Sequence, residues 1–168
     1  RIAKMTEPAY REIKEYDVES IDEGSAVVRV LSGSYKDVSG IVRDEHVKVQ
    51  YLDVSLQPDT QWTYNATSND QTLFLYLIDG TLAADDNLNK FEEKGCAILL
   101  SPSSADGSDF DEVLVKSGEH GARFILLAAK PLKEPVAWGG PIVMNTQDEL
   151  NLAFRELDNN TFIKRTRQ

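Results

Sequence analysis

The feature that most constrains this sequence is a series of short runs rich in Val, Ile, Leu, Tyr and Phe, separated by turns that often contain glycine. Runs of this length and composition are typical of β-strands joined by tight connections. They occupy residues 25–31, 47–56, 60–64, 72–78, 96–100, 113–116 and 122–129. No helical pattern alternates with them, so the sequence predicts an all-β barrel or sandwich rather than a βαβ fold.

Two of these runs predict details of the sheet. Residues 72–78 carry apolar side chains on both faces, which predicts a central strand covered on each side. In residues 47–56 the alternation changes phase between Tyr51 and Leu52, which predicts a β-bulge. The pair at 79–80, Asp-Gly, directly follows the central run and is typical of a hairpin turn.

One α-helix is predicted near the C-terminus, at about 146–158. Thr146 and Glu149 have the spacing of a capping box, in which each side chain accepts a hydrogen bond from the other residue's backbone N–H. One apolar face follows, formed by Leu150, Ala153, Phe154 and Leu157. The predicted architecture is therefore a β-barrel or sandwich with one packed helix at its C-terminal end.

Length and charge exclude several classes of protein. The chain has 168 residues, which fits one globular domain or two very small ones. Its formal net charge of -10 argues against binding nucleic acid through clustered cations. The one basic cluster, in residues 163–168, is interpreted as a solvated tail. No run approaches the roughly 18 apolar residues of a membrane span, and no secretory signal is visible. A cytoplasmic protein without membrane contact is expected.

Side chains that could support catalysis are scarce. The two histidines, His46 and His120, are far apart in the sequence, and the acidic residues 106–112 lack the ligand spacing of an EF-hand. Cys96 is the single cysteine, which excludes an internal disulfide. Motifs for an activated nucleophile or a phosphate loop do not occur. The residues themselves therefore predict no catalytic, cofactor-binding or metal-binding site.

Four aromatic residues in the predicted strands could line a ligand cavity: Trp62, Tyr64, Phe74 and Tyr76. The alternative interpretation is that they fill the core, since small barrels are usually packed with side chains. Core packing is the favoured interpretation of the four. Binding of a small ligand in the barrel stays open as an alternative function.

The segment before the predicted helix carries motifs specific enough to indicate a family. It contains Lys-Pro-Leu-Lys-Glu-Pro at 130–135 and Gly-Pro-Ile-Val-Met-Asn-Thr at 140–146. These motifs resemble the C-terminal signature of the pirin family. The family's inter-domain linker and two strands of its second domain are resembled, in the same order, by residues 4–10, 28–33 and 121–128. One departure is Gly-Ile-Val at 40–42, where the family usually has Gly-Pro-Val.

The resemblance implies a cupin fold, a double-stranded β-helix closed into a jelly-roll barrel. Residues 1–24 would be a linker and residues 25–162 the C-terminal cupin domain. Family members have two cupins, and their iron, held by three histidines and a glutamate, belongs to the N-terminal cupin. The corresponding motif would fall near residues 60–64, where this chain has no histidine. No metal ligand is carried over, and iron is expected only in the other cupin.

These implications give an expected function and an alternative to it. The chain is expected to be a metal-free cupin with a structural or interaction role, supporting an iron-dependent N-terminal cupin of the same protein. The alternative is a part in a quercetin 2,3-dioxygenase-type oxidoreductase whose active site lies in the other cupin. The expected partner is that N-terminal cupin, and a homodimer could form through the face that it would cover.

Overall fold

The structure, a computed structural model, describes residues 10–43, 46–66, 70–100 and 112–163. These residues fall into two units, 10–131 and 132–163. Apart from Ile163, the predicted basic tail lies outside the described residues, as does the acidic segment 106–112 apart from Glu112.

The first unit is built on an eight-stranded antiparallel sheet, preceded by a short 3-10 helix at Glu15–Asp17. A separate small hairpin, β3 with β4, follows strand β2. The strands of this unit are β1 Ser20–Asp22, β2 Ala26–Ser32, β3 Ser34–Tyr35, β4 Val38–Ser39, β5 Gln50–Leu56, β6 Gln61–Asn65, β7 Thr72–Ala83, β8 Phe91–Glu93, β9 Ala97–Leu100 and β10 Glu112–Ala129.

Strand β10 organises this sheet, whose main strand order is β1-β2-β5-β10-β7-β8. The first part of β10 pairs with β6, and its last part pairs with β5. Strand β7 pairs with β10 along both parts, and with β8 and β9 at its other edge. One long strand therefore connects β6 with the rest of the sheet.

Strands β7 and β10 bend together at a pair of glycines. Gly80 and Gly121 have φ angles of +74° and +80°. A Cβ at Gly80 would lie 2.1 Å from the carbonyl oxygen of Gly121, and a Cβ at Gly121 would lie 2.6 Å from that of Leu56. Only glycine fits so close a backbone approach at positive φ. The pairing register shifts here, as expected for bulges that let a sheet curl.

The core of the first unit consists of inward-facing side chains from β2, β5, β6, β7 and β10. Alternate residues on each strand are buried: Leu52 and Val54 on β5, and Leu75 and Leu77 on β7, are all 0% exposed. This period of two is the sequence pattern that predicted the strands. Removal of these apolar surfaces from water is the main force that closes the sheet.

The second unit is a β-hairpin followed by a helix. Strands β11 (Ala137–Gly139) and β12 (Ile142–Met144) pair antiparallel, and α1 spans Gln147–Asp158. A small apolar cluster joins them, with Ile142, Leu150 and Ala153 buried. The apolar face predicted for the helix therefore packs on the hairpin, with Leu150 and Ala153 buried and the Phe154 ring lying against Gly139 of β11.

The helix begins where the capping box predicts. Thr146 Oγ1 accepts a hydrogen bond from the Glu149 N–H at 3.2 Å, and Glu149 Oε2 accepts one from the Thr146 N–H at 3.1 Å. Asn145 fixes the preceding chain, since its Nδ2 donates to Glu134 Oε2 at 3.0 Å and to the Pro135 carbonyl at 2.9 Å. The conspicuous Asn-Thr motif thus has a local structural role.

The predicted all-β fold with one C-terminal helix is confirmed, with differences in several strands. The strand predicted at 47–56 begins only at Gln50. The bulge expected near Tyr51 lies in the facing strand β2, where the register shifts between Val30 and Ser32. The alternation changes phase because residues 47–49 precede the strand, and not because β5 contains an extra residue.

Glycine explains the other two differences. Strand β7 continues through 79–80 to Ala83, so the predicted hairpin turn is wrong, and Gly80 is instead a bend inside a strand. The runs 113–116 and 122–129, predicted as two strands, form the single strand β10, which passes through Gly121 without ending.

Part of the predicted linker belongs to the sheet, because Ser20–Asp22 pairs with β2. The domain boundaries at 24 and 162 stay predictions. Within the described ranges, no helix has the length and hydropathy needed to cross a membrane. The cytoplasmic location stays a prediction.

Candidate functional site

A cavity of about 570 Å³ lies beside strand β6 in the first unit. Three separate segments border it: the turn between β1 and β2, the β3–β4 hairpin, and β6 itself. The cavity, named here the β6 pocket, is lined by Glu23, Ser25, Ala26, Ser34, Tyr35, Lys36, Gln61, Trp62, Thr63, Tyr64 and Asn65. Its lining therefore combines a carboxylate, an ammonium group, three aromatic rings and several uncharged polar groups.

Glu23 is the polar centre of the pocket. Its carboxylate accepts hydrogen bonds from Tyr35 Oη at 2.9 Å and from Trp62 Nε1 at 3.2 Å. The Lys36 ammonium lies 2.6 Å from Oε1 of the same carboxylate. Burial raises the pKa of Glu23, but the three hydrogen bonds and the Lys36 charge outweigh burial and hold the pKa below the usual value of a glutamate. Glu23 is therefore ionised at neutral pH.

Trp62 connects the pocket to the core of the sheet. Its ring centroid lies 6.0 Å from that of Tyr35, 6.2 Å from that of Tyr64 and 5.9 Å from that of Phe124. These separations are in the range of favourable aromatic pairs. Trp62 and Tyr64 are only 5% and 2% exposed, so both side chains fill the core while they border the cavity.

The hydroxyl of Tyr64 is buried and has no hydrogen-bond partner among the described residues. Such atoms are uncommon, because most buried polar groups in proteins are paired with protein or water. Burial also raises the pKa of Tyr64, which keeps the phenol protonated and able to donate as well as accept.

The other two residues predicted to line a cavity do not reach the β6 pocket. Phe74 and Tyr76 alternate along β7 with Leu75, which is fully buried, and Tyr76 is 45% exposed. Successive residues of a strand point to opposite faces, so Phe74 and Tyr76 lie on the outer face of the sheet. The prediction that β7 is covered on both faces is wrong for the same reason.

The residues of this part of the barrel do not fit an iron site. Where the family's metal motif would fall, the chain has Gln61, Trp62 and Tyr64, and the last two fill the interior with aromatic rings. His46 and His120 are both exposed. Within the described ranges, no three His, Cys, Asp or Glu side chains cluster closely enough to hold a metal ion.

Sequence reasoning missed Glu23, Tyr35 and Lys36. Glu23 is 12 positions from Tyr35 and 39 positions from Trp62. No local motif connects residues so far apart, because they meet only when the sheet closes. A carboxylate just before a predicted strand gives no indication of its partners.

Comparison with known proteins gives matches over most of the chain. Residues 51–163 match the family model described as the pirin C-terminal cupin domain. Pirin-1 of Arabidopsis thaliana is 32% identical, over 93% of this chain and 52% of its own length. The "Putative quercetin 2,3-dioxygenase" of Thermoplasma acidophilum is 32% identical, over 96% of this chain and 61% of its own length.

A solved structure supports the same fold. The crystal structure of a quercetin 2,3-dioxygenase from Acinetobacter baumannii aligns with a TM-score of 0.82 and 25% identity, covering 96% of this chain and 53% of that chain. This chain thus spans from 52% to 61% of the length of the three relatives named here.

Proposed function

This chain belongs to the pirin family, as its match to the C-terminal cupin model requires, and from that premise we propose that it is the companion cupin of a two-cupin protein. In this role it holds no iron of its own and packs against an iron-dependent N-terminal cupin. The companion stabilises the reactive cupin and contributes one of the two surfaces of the interface between them.

The observation that carries this proposal is the filling of the barrel near β6. Trp62, Tyr64 and Phe124 pack together there. Iron in proteins is held by imidazole, carboxylate or thiolate donors that converge on an open position. A cluster of three aromatic rings supplies none of these donors.

A second feature supports the companion role. The outer face of the sheet carries an apolar patch, here named the outer apolar face and defined as Phe74, Tyr76, Leu99, Ile125 and Leu127. Cross-strand pairing holds the patch together, since Phe74 is opposite both Leu99 and Leu127, and Tyr76 is opposite Ile125. Tyr76 and Leu99 are 45% and 64% exposed. Contiguous exposed apolar side chains of this kind mark contact surfaces.

The occupant that we propose for the outer apolar face is the N-terminal cupin. The relatives matched by this chain have almost half of their length outside the match. A domain of that size could cover an apolar sheet face and remove it from water. When this chain is alone, a second copy of it would cover the same face and give a homodimer.

The alternative function places the same chain inside a quercetin 2,3-dioxygenase-type enzyme. Two of the relatives carry that activity in their names. In that case the oxidation takes place in the other cupin, and the residues described here position that cupin without contacting the substrate.

The test compares the chain alone with the chain joined to the N-terminal cupin of a pirin relative. Both proteins are loaded with Fe(II) under argon, desalted and analysed for iron by mass spectrometry and for quercetin consumption. We expect firmly bound iron and any turnover only in the joined protein.

A matched control sharpens this test. The N-terminal cupin alone should bind iron but be less stable to heating than the joined protein, since it lacks its companion. Stoichiometric, chelator-resistant iron in the isolated chain would contradict the proposal. Quercetin turnover by the isolated chain would contradict both the proposal and the alternative.

A further inference from the structure

Strand β6 has one edge that pairs with no other strand of the described ranges, because its partner is β10 alone. The Ser117 N–H donates to the Thr60 carbonyl at 2.9 Å, so Thr60 begins a series in which every second residue directs its backbone groups to β10. The N–H and C=O groups of Gln61, Thr63 and Asn65 therefore point away from β10. These three residues line the β6 pocket, so their backbone groups form a free edge at the cavity wall.

The composition of β6 leaves this free edge unprotected. Proteins usually protect an exposed edge with a charged side chain, a proline or a very short strand. The two ends of the main strand order follow this rule, since β1 has three residues and contains Asp22, and β8 has three residues and contains Glu92 and Glu93. Strand β6 has five residues, with neither a charge nor a proline. Strand β9, paired with β7, is also uncharged, but its residues do not line the cavity.

The segments that border the cavity limit what can pair with the free edge. Glu23, in the β1–β2 turn, accepts a hydrogen bond from Trp62 Nε1 at 3.2 Å, and the ring centroid of Tyr35, in the β3–β4 hairpin, lies 6.0 Å from that of Trp62. The same turn and hairpin flank β6 in a second copy of this chain, so direct pairing of β6 with β6 would bring these segments of both copies against each other. A single extended segment carries no such flanks.

The side chains beside the cavity determine which residues of an extended segment fit. In an added strand, alternate side chains would share the face of Trp62 and Tyr64. The Lys36 ammonium and the Glu23 carboxylate, which hydrogen-bonds Trp62, lie 2.6 Å apart and neutralise each other. A charge on the added strand would compete with one member of this ion pair and leave the other without compensation. The inward positions therefore favour uncharged β-branched residues, which suit a strand.

We propose that the free edge of β6 binds an extended peptide segment of a partner protein, which joins the sheet as a further strand. The segment pairs with the N–H and C=O groups of Gln61, Thr63 and Asn65, and its inward side chains are uncharged. In this mode of recognition the main-chain hydrogen bonds give affinity, and pockets for alternate side chains give specificity. The proposal does not depend on the companion role or on iron in another domain.

The first test measures binding of the labelled peptide Thr-Val-Thr-Val-Thr-Val-Thr to the intact chain by fluorescence anisotropy. Two further versions carry N-methyl groups, one on the valine amides and the other on the threonine amides. Only one of these alternate sets can face β6 in a paired strand. We expect saturable 1:1 binding of the parent peptide. Methylation of one set should abolish binding, and methylation of the other should change it by no more than about twofold.

The decisive variant of the protein is Thr63→Pro. Proline has no N–H, and the Thr63 N–H points away from β10, so the change removes one donor from the free edge while the pairing with β10 is kept. Peptide binding should weaken by about five- to tenfold. Thr63→Val is the matched control, because it retains the N–H and the branched side chain, and it should bind within about twofold of the parent chain. If Thr63→Pro does not fold, the methylated peptides test the same hydrogen bonds from the side of the ligand.

Each outcome supports or overturns the proposal. It is overturned if the parent peptide shows no saturable binding up to about 1 mM, if the two methylated peptides bind equally, or if a folded Thr63→Pro variant binds as tightly as Thr63→Val. A last measurement uses the chain joined to the N-terminal cupin of a pirin relative. Retained binding supports an external partner, whereas loss of binding would mean that the other domain already occupies the edge and would overturn the proposal.

Discussion

The two faces of strand β7 are almost equally apolar in sequence but differ in the structure. On the inner face Leu75 and Leu77 are 0% exposed, whereas on the outer face Tyr76 and Ile78 are 45% and 38% exposed. Among the described residues, the same strand thus carries one face that is buried and one whose side chains stay partly exposed. An apolar run predicts that a strand is central in its sheet, but it does not say whether both faces find a partner within the chain.

The difference between the two faces matters for function because this chain matches only about half of the length of two of its relatives. The inner face forms the core of this unit, and the outer apolar face is the surface that we propose for contact with another domain. Substitutions on the inner face, on the outer apolar face and at Glu23 beside the β6 pocket should therefore differ in their effects on stability and association.

The largest effect is expected from Leu75→Ala. This side chain is fully buried, so its loss should lower the free energy of unfolding by about 2–5 kcal/mol. Tyr76→Ala is the neighbouring control on the outer face and should cost about 1 kcal/mol or less. Urea-induced unfolding measures both. Equal losses for the two variants would mean that the outer face packs as tightly as the inner one.

A slightly smaller effect is expected from Gly121→Ala, at the bend of β10. Alanine at positive φ is strained, and its Cβ would also contact the Leu56 carbonyl oxygen, so about 2–3 kcal/mol should be lost. Gly95 is a matched control, because it has a φ of +86° but open space around it. Gly95→Ala should cost only the strain, about 1–2 kcal/mol. If thermal unfolding gives the two variants equal losses, the close approach at the bend is not a constraint.

A charge introduced on the outer apolar face should weaken association with another protein chain and leave folding unchanged. Leu99→Asp should weaken binding to the N-terminal cupin, or self-association of the isolated chain, by about tenfold or more. Sedimentation velocity measures this effect. Leu152→Asp on α1 is the control, since Leu152 is 47% exposed but belongs to the second unit. Equal weakening by the two variants would show that the effect is general and not a property of this face.

The smallest effect concerns Glu23 and pH. Its pKa is lower in the folded chain than in an unfolded chain, where it is about 4.3. The ionised carboxylate therefore stabilises the fold above that value, and this contribution is lost as the pH falls through the lowered pKa. Glu23→Gln should flatten the decline in stability below about pH 4.

The control for this last prediction is Glu119→Gln. The Glu119 side chain is 83% exposed, so its replacement should leave the acid part of the stability curve unchanged. Chemical unfolding at a series of pH values compares the two variants with the parent chain. A parallel shift of the whole curve for Glu23→Gln, without a change of slope, would mean that the hydrogen bonds and not the charge stabilise this region.

Local chemistry made part of the fold predictable from sequence. Thr146 and Glu149 determine the start of the helix by themselves, because both partners of the capping box lie within one turn. The period of two in β2, β5 and β6 likewise requires only neighbouring residues. These features, with the pirin-like motif before the helix, were sufficient for the fold and the family.

Features that depend on distant segments were not predictable. A glycine that follows an apolar run can form a turn or a bend within a longer strand. Gly80 forms a bend because the backbone of Gly121, 41 positions away in the sequence, lies against it. Trp62 and Tyr64 were identified as candidates, but Phe74 and Tyr76 are equally aromatic and lie on the other face. Glu23 shows no motif at all, since its role arises from contacts formed only in the closed sheet.

The continuity of β10 has a consequence for how such proteins diverge. The first part of this strand pairs with β6, and its last part pairs with both β5 and β7. A single inserted or deleted residue within a strand reverses which side chains face inward, and in the last part of β10 it would do so against two neighbours together. Insertions and deletions among homologous chains should therefore occur in the connections between strands and not within β10.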